Sequence, residues 1–189
     1  TLTTTGASLV FGANAAALTL PNSVFTSSPS PLVNLTVNRL GGISLGNQGI
    51  TASGTLALTN GIVTTGANTI SVTAAGTVSR TSGWVNGNLN KFVTGSSTKT
   101  FEIGDATVYT PVTLNFTGTI SGGSITAKSI SGDHPQIATS NYNVNRTVNR
   151  FYTLTPNSVV GLTSYSPIFT YDSTDNDIAA TASNYVIRN

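Results

Sequence analysis

The sequence predicts an all-β protein, with a short parallel β-helix at residues 1–83 followed by an antiparallel β-sandwich at residues 84–189. Apolar and polar residues alternate in short runs, which is the pattern of strands, and no stretch shows helical periodicity. In the first region these runs recur at short, similar spacings, with Gly or Asn in nearly every gap. Composition changes near residues 80–84, since all the acidic residues lie from Glu102 onward.

The first region carries repeated aliphatic pairs separated by one residue. Strands start near residues 35, 43, 50, 56, 62, 70 and 78, so taken in threes they return after roughly 20 to 22 residues. Three short strands and three corners describe one coil of a β-helix. The side chains expected to point inward in the stretch 54–80 are Leu56, Leu58, Ile62, Ile70 and Val72. A sandwich of frequent short strands is the alternative for this region.

The second region has longer alternating segments with aromatic residues. They predict an antiparallel sandwich, in which Trp84 plugs the end of the β-helix core or, alternatively, stacks on a sugar. The expected strands are Trp84 to Val93, Thr98 to Ile103, Thr107 to Thr119, Ser124 to Ser131, Arg150 to Leu154, Ser164 to Tyr171 and Asn184 to Ile187.

Composition argues against most chemistry. The chain has no Cys, so it forms no disulfide, thiolate zinc site or cysteine nucleophile, and charged residues are only 7%. There is no basic run for nucleic acid and no apolar stretch of membrane-spanning length. The single His134 is expected in a solvated loop, and Glu102 and Asp105 on a sheet surface and in a turn rather than as a catalytic pair. We therefore predict no enzymatic activity and no cofactor.

One loop offers oxygen ligands in a short stretch. In "YDSTDND" the carboxylates of Asp172, Asp175 and Asp177 are a candidate site for calcium, because this ion takes several hard oxygen ligands from a loop. The EF-hand spacing is absent, and an Asp/Asn-rich turn between strands is the alternative.

Three runs together resemble secreted β-strand-repeat surface proteins of Bacteroidota: "NLTVNRLGGISLGNQGITASGTLALTNGIVTTGANTISV", "GWVNGNLNKFV…KTFEIGD…YTPVTLNF" and "NRFYTLT…FTYDSTDND…SNYVIRN". The resemblance implies extracellular, multi-module, adhesin-like or filament-forming proteins of the type IX secretion type, with no catalytic residues. Separately, Asp172-Ser173-Thr174 resembles the O-glycosylation signal of exported Bacteroidota proteins, which implies modification at Ser173. A further strand usually follows "NYVIRN" in such modules, so the sandwich is expected to lack its last strand here and to be completed elsewhere.

The ends suggest how such a unit is used. The chain begins "TLTTTGASLVF", which is already strand-like and has no polar cap, so we expect adjacent modules or copies of the chain to stack head to tail by strand addition. The predicted function is a non-catalytic extracellular stalk or fibre building block. The alternative is a carbohydrate-binding surface domain that uses Trp84, Tyr109 or Tyr165.

Overall fold

The computed structural model describes residues 3, 5–118, 120–178 and 180–187. The protein is all-β, with 52% of its residues in strands and 5% in short 3-10 helices. The strands are β1 (Ala7–Phe11), β2 (Leu18–Thr19), β3 (Ser30–Asn38), β4 (Ile43–Ser44), β5 (Ile50–Ala52), β6 (Thr55–Asn60), β7 (Ile62–Val72), β8 (Thr77–Arg80), β9 (Trp84–Phe92), β10 (Thr98–Phe101), β11 (Ile103–Gly104), β12 (Val112–Thr117), β13 (Gly122–Ser131), β14 (Arg150–Val160) and β15 (Ser164–Phe169). The 3-10 helices are Ile137–Thr139, Ser173–Asp175 and Ala182–Asn184.

Strands from successive coils pair in parallel and form three columns, which gives a β-solenoid of about five turns. One column contains β1, the end of β3, β6 and β8. A second contains β2, β4, the start of β7, the start of β9, and β11. The third contains the start of β3, β5, the end of β7 and the end of β9. The predicted β-helix is confirmed, and the parallel pairing rules out a sandwich for residues 7–80.

An aliphatic core runs up the middle of the coils. Leu35 is in register with Leu56, which is in register with Val78, and Ile50, Ile70 and Leu89 follow one another in the same way. Parallel in-register pairing places equivalent side chains above one another. Each fully buried aliphatic side chain contributes about 1.5–3 kcal/mol. The fold of this region therefore depends on apolar burial and needs almost no charge.

The prediction for Ile62 was wrong. Ile62 points outward and is half-buried, whereas its neighbour Val63 is fully buried and in register with Ile43 and Val85. The preceding corner is Gly61, at φ +81°, and a Cβ there would lie 1.8 Å from the carbonyl oxygen of Arg39. This tight left-handed corner, which suits only glycine, sets which residue enters the core.

Asparagine side chains connect the coils at their corners. Asn68 Nδ2 donates to the carbonyl oxygen of Gly46 on one neighbouring coil (2.9 Å), and Asn88 Nδ2 donates to that of Asn68 (3.0 Å). Similarly, Asn34 Oδ1 accepts from the backbone N–H of Thr55 (2.8 Å). These bonds continue the coil-to-coil hydrogen bonding where the backbone turns and cannot supply it. They explain why a β-helix region is rich in Asn.

The coil stack runs past residue 83. β9 pairs in parallel with β7 over almost its whole length, with Trp84 beside Ile62, and β11 adds to β9. Only after β9 does the pairing change direction, since β13 lies antiparallel to β9 and β14 antiparallel to β13. The same continuous sheet thus includes both parallel coils and an antiparallel extension.

A separate antiparallel sheet of three strands contains β10, β12 and β15. Its buried residues Phe101, Val112 and Leu114 belong to the same apolar cluster as the coils. The expected sandwich is not confirmed as such. The segment from Asn184 to Ile187, expected as a strand, is not one: Asn184 ends the 3-10 turn Ala182–Asn184, and residues 185–187 lie in no strand.

Candidate functional site

Trp84 lies on the outside of the coils and does not plug their core. The next residue, Val85, is fully buried, so the alternation of β9 turns Trp84 outward. Its indole N–H donates to the carbonyl oxygen of Asp105 (2.8 Å), and its ring lies 6.2 Å from that of Tyr109. As a sugar-stacking candidate, Trp84 is therefore half-buried and has its only donor in use.

Tyr109 continues this aromatic surface. The guanidinium carbon of Arg80 lies 3.5 Å from the centre of the Tyr109 ring, a close cation–π contact. The Arg80 side chain also donates to the carbonyl oxygens of Gly83 (2.8 Å) and Ser82 (3.2 Å). Tyr165, the third aromatic candidate, is 41% exposed and packs beside Phe116 on the three-stranded sheet. The three candidates thus do not form one platform.

A buried arginine organises the most charged part of the molecule. Arg150, at the start of β14, has a side chain only 1% exposed. It donates to both carboxylate oxygens of Asp175 (2.6 and 2.9 Å), to Asp105 (2.7 Å) and to the Ser129 hydroxyl (3.0 Å). The sequence separates these partners widely, so the cluster joins β14, the turn after β11 and the loop after β15.

The electrostatics of this cluster favour the ionised forms. Burial alone raises the pKa of Asp105, but hydrogen bonds from Arg150 and from the backbone N–H groups of Thr107 and Val108 outweigh it and lower the pKa to about 2. For Arg150, burial lowers the pKa, but the bonds to Asp175 and Asp105 reverse this and raise it. A permanently charged, hydrogen-bonded group of this kind fixes structure and has no free proton to exchange near neutral pH.

The three calcium candidates are engaged separately. Asp175 binds Arg150 and, through the Asp172 N–H, closes a capping box in which Asp172 accepts from Thr174. Asp177 accepts from the Thr147 N–H (2.7 Å) and from Asn149 (3.0 Å). Within the described ranges, no group of three or more acidic, His or Cys side chains is placed to hold a metal ion. The structure thus gives this loop an internal hydrogen-bonding role.

Two other predicted positions lie at the surface. Ser173 is exposed at the first residue of the 3-10 helix Ser173–Asp175, where its side chain is accessible to modification. His134 is exposed, accepts from the Gln136 N–H and packs edge-on against Phe151 at 5.1 Å. Its neighbour Asp133 accepts from the Thr147 hydroxyl. The loop therefore shows no His–Asp pair of the kind that general-base chemistry uses.

Asp105 lies in the turn after Gly104, as expected, whereas Glu102 is not a simple surface residue, which corrects the expectation for it. Glu102 accepts from Lys91 at 2.5 Å, and both side chains are nearly nine-tenths buried. Burial lowers the pKa of Lys91, although its partner Glu102 opposes this. Lys91 also donates to the carbonyl oxygen of Thr100 (2.6 Å). Sequence alternation gave the direction of Glu102 correctly but could not locate Lys91 opposite it.

Beside this ion pair, the coil stack opens into a groove of about 220 Å³, hereafter the β8/β10 groove. In a regular solenoid the next strand of the column would pair with β8. Instead β10 occupies the next coil but pairs with β12, and the groove lies between β8 and β10. Its lining residues are Val72, Thr73, Gly76, Thr77, Val78, Lys91, Phe92, Thr98, Lys99, Thr100 and Glu102.

Both walls of the β8/β10 groove present backbone edges. The backbone N–H groups of Thr77 and Thr81 donate to carbonyl oxygens of the coil that contains β6. Because the backbone groups of successive strand residues point to opposite sides, those of Val78 and Arg80 face the groove. On the other wall, the Phe116 N–H donates to the carbonyl oxygen of Ser97. In the antiparallel pairing of β10 with β12, the backbone groups of Thr98 and Thr100 therefore face away from β12. Lys91 reaches the Thr100 carbonyl. Sequence reasoning missed this groove, because it arises from a change of strand partner.

No helix in the described part of the chain is both long and apolar enough to cross a membrane. Comparisons with protein-family models, with curated proteins and with solved structures found no match, so the function of this chain is argued from its own geometry.

Proposed function

We propose that this chain is a non-catalytic structural module of an extracellular surface protein, a stalk or fibre unit that assembles through exposed β edges. The observation that carries the proposal is the uninterrupted column of aliphatic side chains inside stacked parallel coils. Such a column gains stability with each added coil, because every coil buries the apolar face of its neighbour. A solenoid is thus suited to building length.

The first coil offers a surface on which such stacking continues. Within the described residues β1 pairs only with β3, so its other edge presents unpaired backbone groups. Val10 on this strand is 63% exposed. A coil of another module or another copy of the chain would satisfy this edge by parallel strand addition.

The buried acidic groups also support a structural role. Glu102 is paired with Lys91, and Asp105 and Asp175 with Arg150. Of these, Asp105 has its pKa lowered to about 2 by its hydrogen bonds, which makes it a poor general acid near neutral pH. The extracellular setting rests on the absence of Cys, the low charge and the resemblance of the coils.

Sedimentation velocity of the full chain over a wide concentration range tests the proposal. We expect concentration-dependent association that Val10→Lys weakens, because a lysine on an edge strand opposes strand addition. Val160→Lys is the matched control, since Val160 is 61% exposed on a different edge strand, β14. A chain that stays monomeric at the highest concentration, with its β1 amides protected from hydrogen exchange, contradicts the proposal.

A further inference from the structure

The outer edges of the sheets differ in how they are protected. β14 and β15 are the last strands of their sheets, and each contains a proline, Pro156 and Pro167. A proline lacks the N–H that an added strand would need, so it is a common way to block an edge. β8 and β10 contain no proline, and their free edges face one another across the groove. The free edges of β8 and β10 therefore meet at one place, separate from the free edge of β1.

The β8/β10 groove combines what an added strand needs. Its walls offer backbone donors and acceptors at Val78, Arg80 and Thr98 and the N–H of Thr100, whose carbonyl already accepts from Lys91, and an extended backbone satisfies such edges. Val72, Val78 and Phe92 supply an apolar lining. β10 has four residues, so its edge is about 13 Å long and matches an extended segment of three or four residues.

A segment of matching chemistry lies elsewhere on the same chain. Residues 185–187, Tyr-Val-Ile, follow a 3-10 turn, and Tyr185 has the extended conformation, with φ −71° and ψ 138°. Val186 and Ile187 are 64% and 69% exposed and lie in no strand. β-Branched side chains favour strands, so this segment has the composition of a strand without having a partner.

We propose that the β8/β10 groove accepts segment 185–187 of a second copy of this chain as an added strand. Tyr185 is held in place by its hydroxyl bond to Asn176 (2.8 Å) and its ring contact with Tyr171. The two remaining residues of the segment extend at most about 7 Å, whereas β12 lies between β10 and β15, the strand that Tyr171 follows, so the outer edge of β10 is about two strand spacings, or about 10 Å, away. A segment 185–187 added in the groove therefore comes from another molecule. The inference rests on the proposed function, because it names a contact through which copies associate.

Cysteine cross-linking tests this contact directly, since the chain has no cysteine of its own. Thr77→Cys, exposed on the groove wall, is mixed with Ile187→Cys on a differently tagged copy and oxidised. We expect a mixed disulfide dimer. Ser164→Cys, exposed on the proline-containing strand β15, is the matched control and should give only background cross-linking with Ile187→Cys. Equal cross-linking at both positions overturns the proposal.

Charge substitutions separate this contact from the rest of the assembly. Val186→Asp with Ile187→Asp should weaken self-association at least about tenfold, whereas Ile178→Asp, at a fully exposed isoleucine outside the segment, should not. If Val10→Lys disrupts association and the double aspartate variant does not, the proposed function stands and the groove contact is wrong. If the native chain never associates, both are wrong.

A synthetic peptide of residues 183–189, SNYVIRN, provides an independent readout. It should compete with the Thr77–Ile187 cross-link and slow hydrogen exchange at the Val78 and Thr98 amides. A scrambled peptide of the same composition should do neither. Equal competition by the scrambled peptide would mean that the groove takes any extended peptide, which contradicts recognition of a second copy.

Discussion

The coils of residues 7–92 and the strands of residues 98–187 are stabilised by different interactions. Before Lys91, the only charged residues are Arg39 and Arg80, and the coils are held by stacked aliphatic side chains, backbone bonds and corner asparagines. The later region has antiparallel strands of mixed length, and two of the three ion pairs of the described residues lie wholly within it. Repetition makes charge unnecessary in the first region.

The difference has a topological cause. In the coils, each strand lies on the strand one turn earlier, so the register is repeated and local. In the later region, β12 pairs with β15 and the loop after β15 must be fixed against β14. Such non-repeating contacts need specific groups, and Arg150 supplies them. Buried charge thus appears where the repetition of the coils ends.

The largest effect should come from removing that arginine. Arg150→Met leaves Asp175 and Asp105 without their shared cation, and breaking a buried ion pair by removing one partner costs about 3–5 kcal/mol. Urea unfolding followed by circular dichroism measures the change. Hydrogen exchange should show the loss of protection in β14 and the loop at 172–177, with the coils retained.

Arg146→Met is the control for this substitution. Arg146 is exposed, and only its backbone N–H makes a bond that the structure shows, to Asn143. Its removal should change the free energy of unfolding by less than about 0.5 kcal/mol. Equal destabilisation by both variants would show that the buried ion pairs of Arg150 contribute no more to stability than an exposed arginine does.

A smaller effect is expected from the coils, where a pair of isoleucines tests the register. Ile70 is fully buried in the column, whereas Ile62 points outward from the same strand. Ile70→Ala should cost about 2–5 kcal/mol and Ile62→Ala less than about 1 kcal/mol in thermal or urea unfolding. Comparable losses at both positions would show that the core does not have the side chains in the register described.

The sequence was a sufficient guide to the coils because their signal is periodic. Leu35, Leu56 and Val78 could be assigned to one column from their spacing alone, and the structure confirms it. The exception, Ile62, depends on the geometry of the Gly61 corner, which alternation does not encode. Pattern thus predicts the column, whereas a single backbone corner decides which neighbour enters it.

The candidate sites were less predictable, for a physical reason. Arg150 and Asp105 are 45 residues apart, and neither position carries a local signal that the two side chains meet. Trp84 was expected to close the end of the coils, but β11 adds to β9 beyond it. The alternation of side chains along β9 turns Trp84 outward. The groove also exists only because β10 pairs with β12 and not with β8. Such outcomes follow from competition among distant partners.

The smallest expected effect is a difference between the two regions in how acid changes their stability. The folded pKa of Asp105 is about 2, below the ordinary 3.8, so its contribution to stability is complete above the ordinary value and is lost as the pH falls through about 2. The pKa of Asp172 and that of Asp177 are also lowered, by hydrogen bonds from Thr174 and Thr147 respectively. Residues 1–101 contain no carboxylate side chain, so within the coils only Lys91, through its ion pair with Glu102, is tied to a carboxylate.

Urea unfolding at pH 6, 4 and 2.5 measures this dependence. The native chain should lose stability mainly between pH 4 and 2.5, and Asp105→Asn should lose about 1–2 kcal/mol less over that interval because its part of the dependence is absent. Asp133→Asn, an exposed aspartate in the same region, is the control and should follow the native profile. Two-dimensional NMR spectra at pH 2.5 should show the signals of β14 and residues 172–177 broadened first. Simultaneous loss of the coil signals would mean that the two regions share one acid-sensitive core.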